Sequence, residues 1–277
     1  MSQLNAFPID GIGIKVSEHD GKEKNGGLKP DQLSQIKTNH SYVIFFVLVF
    51  LLGSTGQAGW ALGEMGQVGL VLDQKLAWNG QGPNSTFLNY LTIATVLPSL
   101  GLAIGAFLGG KLVSTYGSRK LILTFNLIAL VFNCLKLIEN TVAILVGRLA
   151  FGISTGVCSV CLSKAINDTV PAEHAGIYGA FVNAGFAMGV TLSNFMGLMI
   201  PIENESAADL QRMKDDSNWR IVLGMPILFE AATIVVLTVF IKHESMITLL
   251  QKEESGSELL AGELRKIYSI PMSMTYD

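Results

Sequence analysis

The sequence predicts an all-α integral membrane protein with six transmembrane helices. Hydrophobic residues make up 49% of the 277-residue chain, charged residues only 15%, and mean hydropathy is +0.44. A water-soluble domain carries about 25% charged residues. A deficit of that size, alongside 29 glycines, points to lipid as the solvent. Six blocks approach the roughly 20 apolar residues that a bilayer crossing needs. They are 41–63, 89–113, 120–139, 141–166, 175–200 and 219–241.

The blocks divide the chain into a polar segment (1–40), a six-span bundle (41–241) and a polar C-terminal segment (242–277). The first forty residues show no apolar core followed by a cleavage site, so the first span is expected to act as the insertion signal. Lys15, Lys22, Lys24, Lys29 and Lys37 precede it. Lys111, Arg119 and Lys120 lie between spans two and three, and Lys242, Lys252, Arg265 and Lys266 follow span six. The alternate loops are poorer in basic residues, so the positive-inside rule puts both termini in the cytosol. Sequons at Asn84 and Asn204 fall outside in that orientation, and the one at Asn167 falls inside. Ser255 and Glu258 have capping-box spacing, and Leu260, Leu264 and Ile267 follow at helical intervals. A cytosolic amphipathic linker helix is expected there, over 256–268.

Net charge of -3 leaves no nucleic-acid footprint. Cys158 and Cys161 form a CxxC, but among small residues with no histidine nearby, which reads as helix packing rather than metal or redox chemistry. No metal cluster, nucleophile–base pair or phosphate loop appears. Neither an enzyme nor a cofactor is expected.

The loop Gly110-Lys-Leu-Val-Ser-Thr-Tyr-Gly117-Ser-Arg119-Lys120 resembles the G-x-L-x-D-R-x-G-R-R loop of the major facilitator superfamily. Gly147-Arg148 opens the fourth span, as in its sugar porter branch. Pro171 to Gly176 resembles the P-x-x-x-R-G loop, with Asp168 where a glutamate usually stands. Trp219-Arg220 begins the sixth span, and His243-Glu244-Ser245 resembles the P-E-S-P-R signature. Five landmarks in order across this length make the chain similar to the N-terminal half of a sugar porter. Departures are Ser114 and Thr115 for the loop's acid and arginine, Ala175 for an arginine, and His243, Met246 and Ile247 in the last signature.

The resemblance implies a half-bundle of a two-half transporter, with solute bound between the halves. It implies facilitative uptake of a hexose-like or other small polar solute by alternating access, given a second six-helix half from a homodimer, a partner chain or further sequence. A plasma membrane is favoured over an internal one. The other reading is a non-transporting sensor, regulator or structural subunit built on a transporter half, which the degenerate loops favour.

The resemblance also nominates residues. Asn183 stands where sugar porters place the glutamine of a Q-L-G element that hydrogen-bonds the sugar. Gln57 and Trp60 match the end of the first span, an amide beside an aromatic platform. For each, helix packing or membrane-interface anchoring is the competing role. Gly110, Gly117, Arg119, Arg148, Asp168 and Glu244 are the gating and motif positions. Asp168 and Glu173 could meet Arg119 or Lys120 in a latch weakened by Ser114 and Ala175, whereas Lys164 is expected only to snorkel.

Proton-coupled relatives carry an aspartate at the position of Ala61, paired with the arginine matched by Arg148. Its loss closes that route and leaves Arg148 in need of a partner. Glu230, the acid deep in the sixth span, is expected to pair with Arg148, to carry a proton because burial disfavours the charged form, or to hydrogen-bond as a neutral acid to a neighbouring helix. Gly101, Gly105 and Gly109 recur on one helix face, which lets another backbone approach closely in lipid. That face serves either the opposite half or a helix of the same bundle, and Gly185 and Gly189 raise the same choice.

Overall fold

The computed structural model describes residues 37–38, 44–45, 47–49, 51, 53–76, 78, 90–169, 175–201, 207–239 and 268–269. The helices are α1 (Thr55–Leu76), α2 (Tyr90–Tyr116), α3 (Ser118–Lys136), α4 (Thr141–Thr169), α5 (Ala175–Gly197), α6 (Ala207–Asp215) and α7 (Trp219–Val239). β1 (Lys37–Thr38) pairs antiparallel with β2 (Tyr268–Ser269). Among the described residues, α2, α3, α4, α5 and the segment ending in α7 are long and apolar enough to cross a membrane. Among the described residues the protein is helical apart from the β1–β2 pair and packs as a bundle.

Two elements differ from expectation. The first span was expected over 41–63, but the helix breaks in a turn at Gly53-Ser54 and α1 then continues to Leu76. It can do so because Glu64 and Asp73 are buried inside the bundle rather than turned to lipid. The short helix α6 was not anticipated; it lies in the polar loop before α7. The linker helix expected over 256–268 reaches the described residues only at Tyr268, which is extended and paired with Thr38. The rest of that segment lies outside the described residues, as do Glu244, Glu173, residues 171–174 and the sequons at Asn84 and Asn204.

Helix α4 is the centre, packed against α2, α3 and α1, while α1 packs on α5 and α3 on α7. Asn140 starts α4 by accepting from the amides of Val142 (2.9 Å) and Ala143 (3.2 Å), a side-chain cap for otherwise orphaned donors. Helix–helix contact in lipid gains nothing from leaving water, so close packing must supply the adhesion. The glycine ladder does this within the bundle. Added Cβ atoms at Gly101, Gly105 and Gly109 would meet the α4 backbone at Leu149, Ile153 and Val157, and Gly152 and Gly156 face back onto Pro98 and Leu102. Likewise Gly189 lies against the backbone of Gly56 and Trp60, Gly59 against Phe186, and Gly185 against the side chain of Leu51.

Candidate functional site

Four wholly buried ionisable side chains meet where α1, α3, α4 and α7 converge: Glu64, Lys136, Arg148 and Glu230. Arg148 Nη1 donates to Glu64 Oε1 at 2.6 Å, and Lys136 Nζ donates to both Glu64 oxygens at 3.0 and 3.2 Å. Lys136 also lies 4.2 Å from the ring centre of Phe151, where the negative face of the ring favours a cation. The partner that Arg148 requires is therefore Glu64, one turn beyond Ala61, and not Glu230. Arg148 Nη2 still reaches the Ala61 carbonyl at 3.1 Å.

Glu230 instead faces α3, where its Oε1 accepts from Asn133 Nδ2. Sequence reasoning missed Glu64 because the first apolar block was closed at residue 63. The available signal was its i+3 spacing from Ala61, which keeps both residues on one helix face.

Two prolines inside membrane helices expose a second layer of order. Proline lacks an N–H, so the carbonyl four residues earlier loses its helical donor. Pro98 leaves the carbonyl of Ala94, and Arg148 Nε fills it at 2.6 Å. Pro226 leaves the carbonyl of Val222, and Trp60 Nε1 fills it at 3.1 Å. Trp60 is 1% exposed and packs edge-on against Phe229, at 5.8 Å between ring centres. It is therefore a core residue and not an interface anchor.

Gln57 is also buried, and its Nε2 donates to Asn126 Oδ1 at 3.1 Å. Asn126 Nδ2 in turn donates to the carbonyls of Gly53 (3.0 Å) and Ile122 (2.8 Å). This amide pair stitches the break before α1 to α3. Cys158 and Cys161 are buried in the same region, with Cys158 Sγ 3.6 Å from Asn126 Nδ2.

Asn183 behaves differently, for it is exposed on α5. Ala187 and Asn194 share its helix face at spacings of 4 and 11 residues. Asn194 Oδ1 accepts from Gln67 Nε2 of α1 at 2.9 Å, and that pair is exposed too. The structure thus separates the three nominated residues: Gln57 and Trp60 lie inside the bundle, while Asn183 stands on an open polar stripe with Asn194 and Gln67. Those last two were not nominated from the sequence.

The family profile described as "Sugar (and other) transporter" matches residues 46–262. The chain belongs to this family. Glucose transporter member 3 of Ovis aries, a facilitated glucose transporter of solute carrier family 2, is 25% identical over 210 residues, covering 70% of this chain and 40% of that protein. Member 14 of Homo sapiens is 26% identical over 196 residues, covering 67% and 35%. The chain therefore spans less than half the length of these curated relatives. Among solved structures, the proton:xylose symporter XylE bound to 6-bromo-6-deoxy-D-glucose superimposes with a TM-score of 0.68 at 18% identity, over 83% of this chain and 50% of that one. The inward open form of XylE from E. coli gives 0.61 at 17% identity, over 81% and 55%. The fold is a half-bundle of the major facilitator superfamily, and the chain is an integral multi-pass membrane protein.

The family landmarks have physical roles in this chain. Gly117 joins α2 to α3 at φ 90°, a backbone state that side-chain-bearing residues rarely adopt, whereas Gly110 is exposed and a Cβ added there would meet open space. Arg119 donates to the carbonyl of Leu237 at 2.9 Å, near the end of α7, where cations suit the helix dipole. Asp168 pairs with Lys164 at 3.3 Å, so Lys164 has an anion beside it rather than only a route to the interface. Arg220 reaches Glu139 at 3.0 Å and the Leu137 carbonyl at 3.3 Å, fixing the start of α7 to the turn between α3 and α4.

Proposed function

We propose that the chain supplies one six-helix half of a facilitative, alternating-access transporter for a hexose-like or other small polar solute. The observation that carries the reading is the stripe of Asn183, Asn194 and Gln67, amides left open on membrane-length helices. Lipid offers amides neither donor nor acceptor, so such a face belongs against water, a polar solute or another polar surface. A sugar's hydroxyls suit paired donors and acceptors, and the relatives named above support a sugar-like solute. Asn183 is the proposed solute contact, with Gln57 and Trp60 supporting the wall from behind.

A facilitative mechanism is favoured because the Glu64 carboxylate is already committed to two cations. A single half has nothing to rock against. The proposal therefore includes a second half, from another copy, a partner chain or further sequence. Pairing of β1 with β2 favours both flanking segments on one side, as cytosolic termini require, and a plasma membrane suits solute uptake.

The test is radiolabelled hexose binding to the purified, folded chain, followed by uptake into proteoliposomes. Saturable binding weakened by Asn183→Ala is the expected result, with uptake above empty vesicles where a second half is present. Folded protein with neither binding nor uptake would overturn the reading in favour of a non-transporting membrane subunit.

A further inference from the structure

The carboxyl of Glu230 and the carboxamide of Asn133 form a hydrogen-bonded pair between α7 and α3. Both residues are 0% exposed. Asn133 Nδ2 donates to Glu230 Oε1, yet Glu230 Oε2 and Asn133 Oδ1 are both buried with no hydrogen-bond partner among the described residues. An ionised carboxylate only accepts, so in that form the pair holds three acceptor oxygens and spends one donor. Leaving two buried acceptors unmet is costly.

Among the described residues, the charged or titratable groups that face Glu230 come from packed neighbours: Lys136 on α3, Glu64 on α1 and Cys158 on α4, with Arg148 of α4 beside Lys136. None supplies a donor to Oε2. Lys136 is engaged by both oxygens of Glu64 and by the Phe151 ring, and Arg148 by Glu64 and two backbone carbonyls.

We propose that Glu230 is a proton-binding site, in which a proton on Oε2 is donated to Asn133 Oδ1. Acid and amide then match as complementary donor–acceptor pairs, with two hydrogen bonds and no orphaned oxygen. The proton also keeps Lys136 on Glu64. Loss of the proton leaves an anion on α7 that draws Lys136 from Glu64, loosening α1 from α3. The site takes a proton and not the solute, so it stands apart from the transport reading.

Infrared spectroscopy of the purified chain in nanodiscs tests this directly. The wild type at neutral pH should show the carbonyl stretch of a protonated carboxyl group, shifting in heavy water and fading on alkaline titration. Glu230→Gln should abolish it while retaining the wild-type Tm, because glutamine is a neutral isostere that can make both bonds to Asn133. Asn133→Leu should move the stretch to higher frequency by removing its hydrogen-bond partner, and Glu64→Gln, by freeing Lys136, should weaken it. No protonated-carboxyl stretch in the wild type, or one that persists in Glu230→Gln, overturns the proposal. A marked Tm loss in Glu230→Gln also overturns it, since that would make Glu230 an ionic partner; this readout holds even if the variant folds poorly.

Discussion

Arg148 Nη1 lies 2.6 Å from Glu64 Oε1, joining the centre of the bundle to α1, and neither side chain has any exposed surface. Lys136 closes the arrangement from α3 at 3.0 Å, so one carboxylate serves two cations. Removing one member of a buried ion pair costs about 3–5 kcal/mol, because the remaining charge is left uncompensated. Glu64→Gln is therefore expected to destabilise the purified chain by about that amount, read as Tm or denaturant midpoint in detergent. Ala61→Asp in the same background should recover part of the loss, because Arg148 Nη2 already reaches the Ala61 backbone at 3.1 Å. Wild-type stability in Glu64→Gln would refute the assignment of this triad as the bundle's ionic centre.

The two proline carbonyls offer a sharper test, a double-mutant cycle on Trp60 and Pro226. Trp60→Phe keeps an aromatic ring but leaves the Val222 carbonyl buried and unpaired, a cost of about 1–3 kcal/mol. Pro226→Ala restores a backbone N–H that can serve that carbonyl. Trp60→Phe should then cost clearly less in the Pro226→Ala background than in the wild type. Additive effects would show that the indole bond and the proline are unconnected.

The bundle and the family were legible in the sequence because lipid imposes long apolar runs and because the loop motifs keep their order. Glu64 was hidden by the same logic, since a hydropathy window ends where charge begins. A buried ion triad can carry charge past that limit, but its members are scattered over α1, α3 and α4 and are joined only by tertiary packing. The roles of Gln57 and Trp60 were similarly opaque. That Pro226 orphans the Val222 carbonyl can be read by counting back four residues, whereas which side chain fills it depends on how α1 meets α7. The glycine ladder announced close packing, and only the structure supplies its partner, α4.

That partner makes the ladder testable with an internal control. Gly105 faces the Ile153 backbone so closely that even a Cβ would overlap it, and Gly156 lies on the other side of the same contact. Gly105→Val should force α2 from α4 and destabilise the chain by about 1–3 kcal/mol or more. Gly110, five residues along the same helix, has open space around it, so Gly110→Ala should leave Tm unchanged. Equal effects at the two positions would argue against glycine packing as the adhesive of α2 and α4.

Exposure separates the amide candidates for solute binding. Asn183 is open, so Asn183→Ala should change stability by no more than about 0.5 kcal/mol, as at surface positions generally. Loss of one hydrogen bond to solute should weaken hexose binding roughly tenfold, equivalent to about 1.4 kcal/mol. Gln57→Ala should behave in the opposite sense. It removes the donor to Asn126 Oδ1 inside the bundle and loosens the stitch across the Gly53-Ser54 turn, so Tm falls before any solute is present. Asn194→Ala should fall between the two, releasing Gln67 at the exposed end of the stripe with a modest loss of affinity. Paired measurements of Tm and hexose affinity on the three variants decide the arrangement. If Gln57→Ala kept its Tm and lost binding while Asn183→Ala changed neither, the solute wall would lie along α1 and not along the open face of α5.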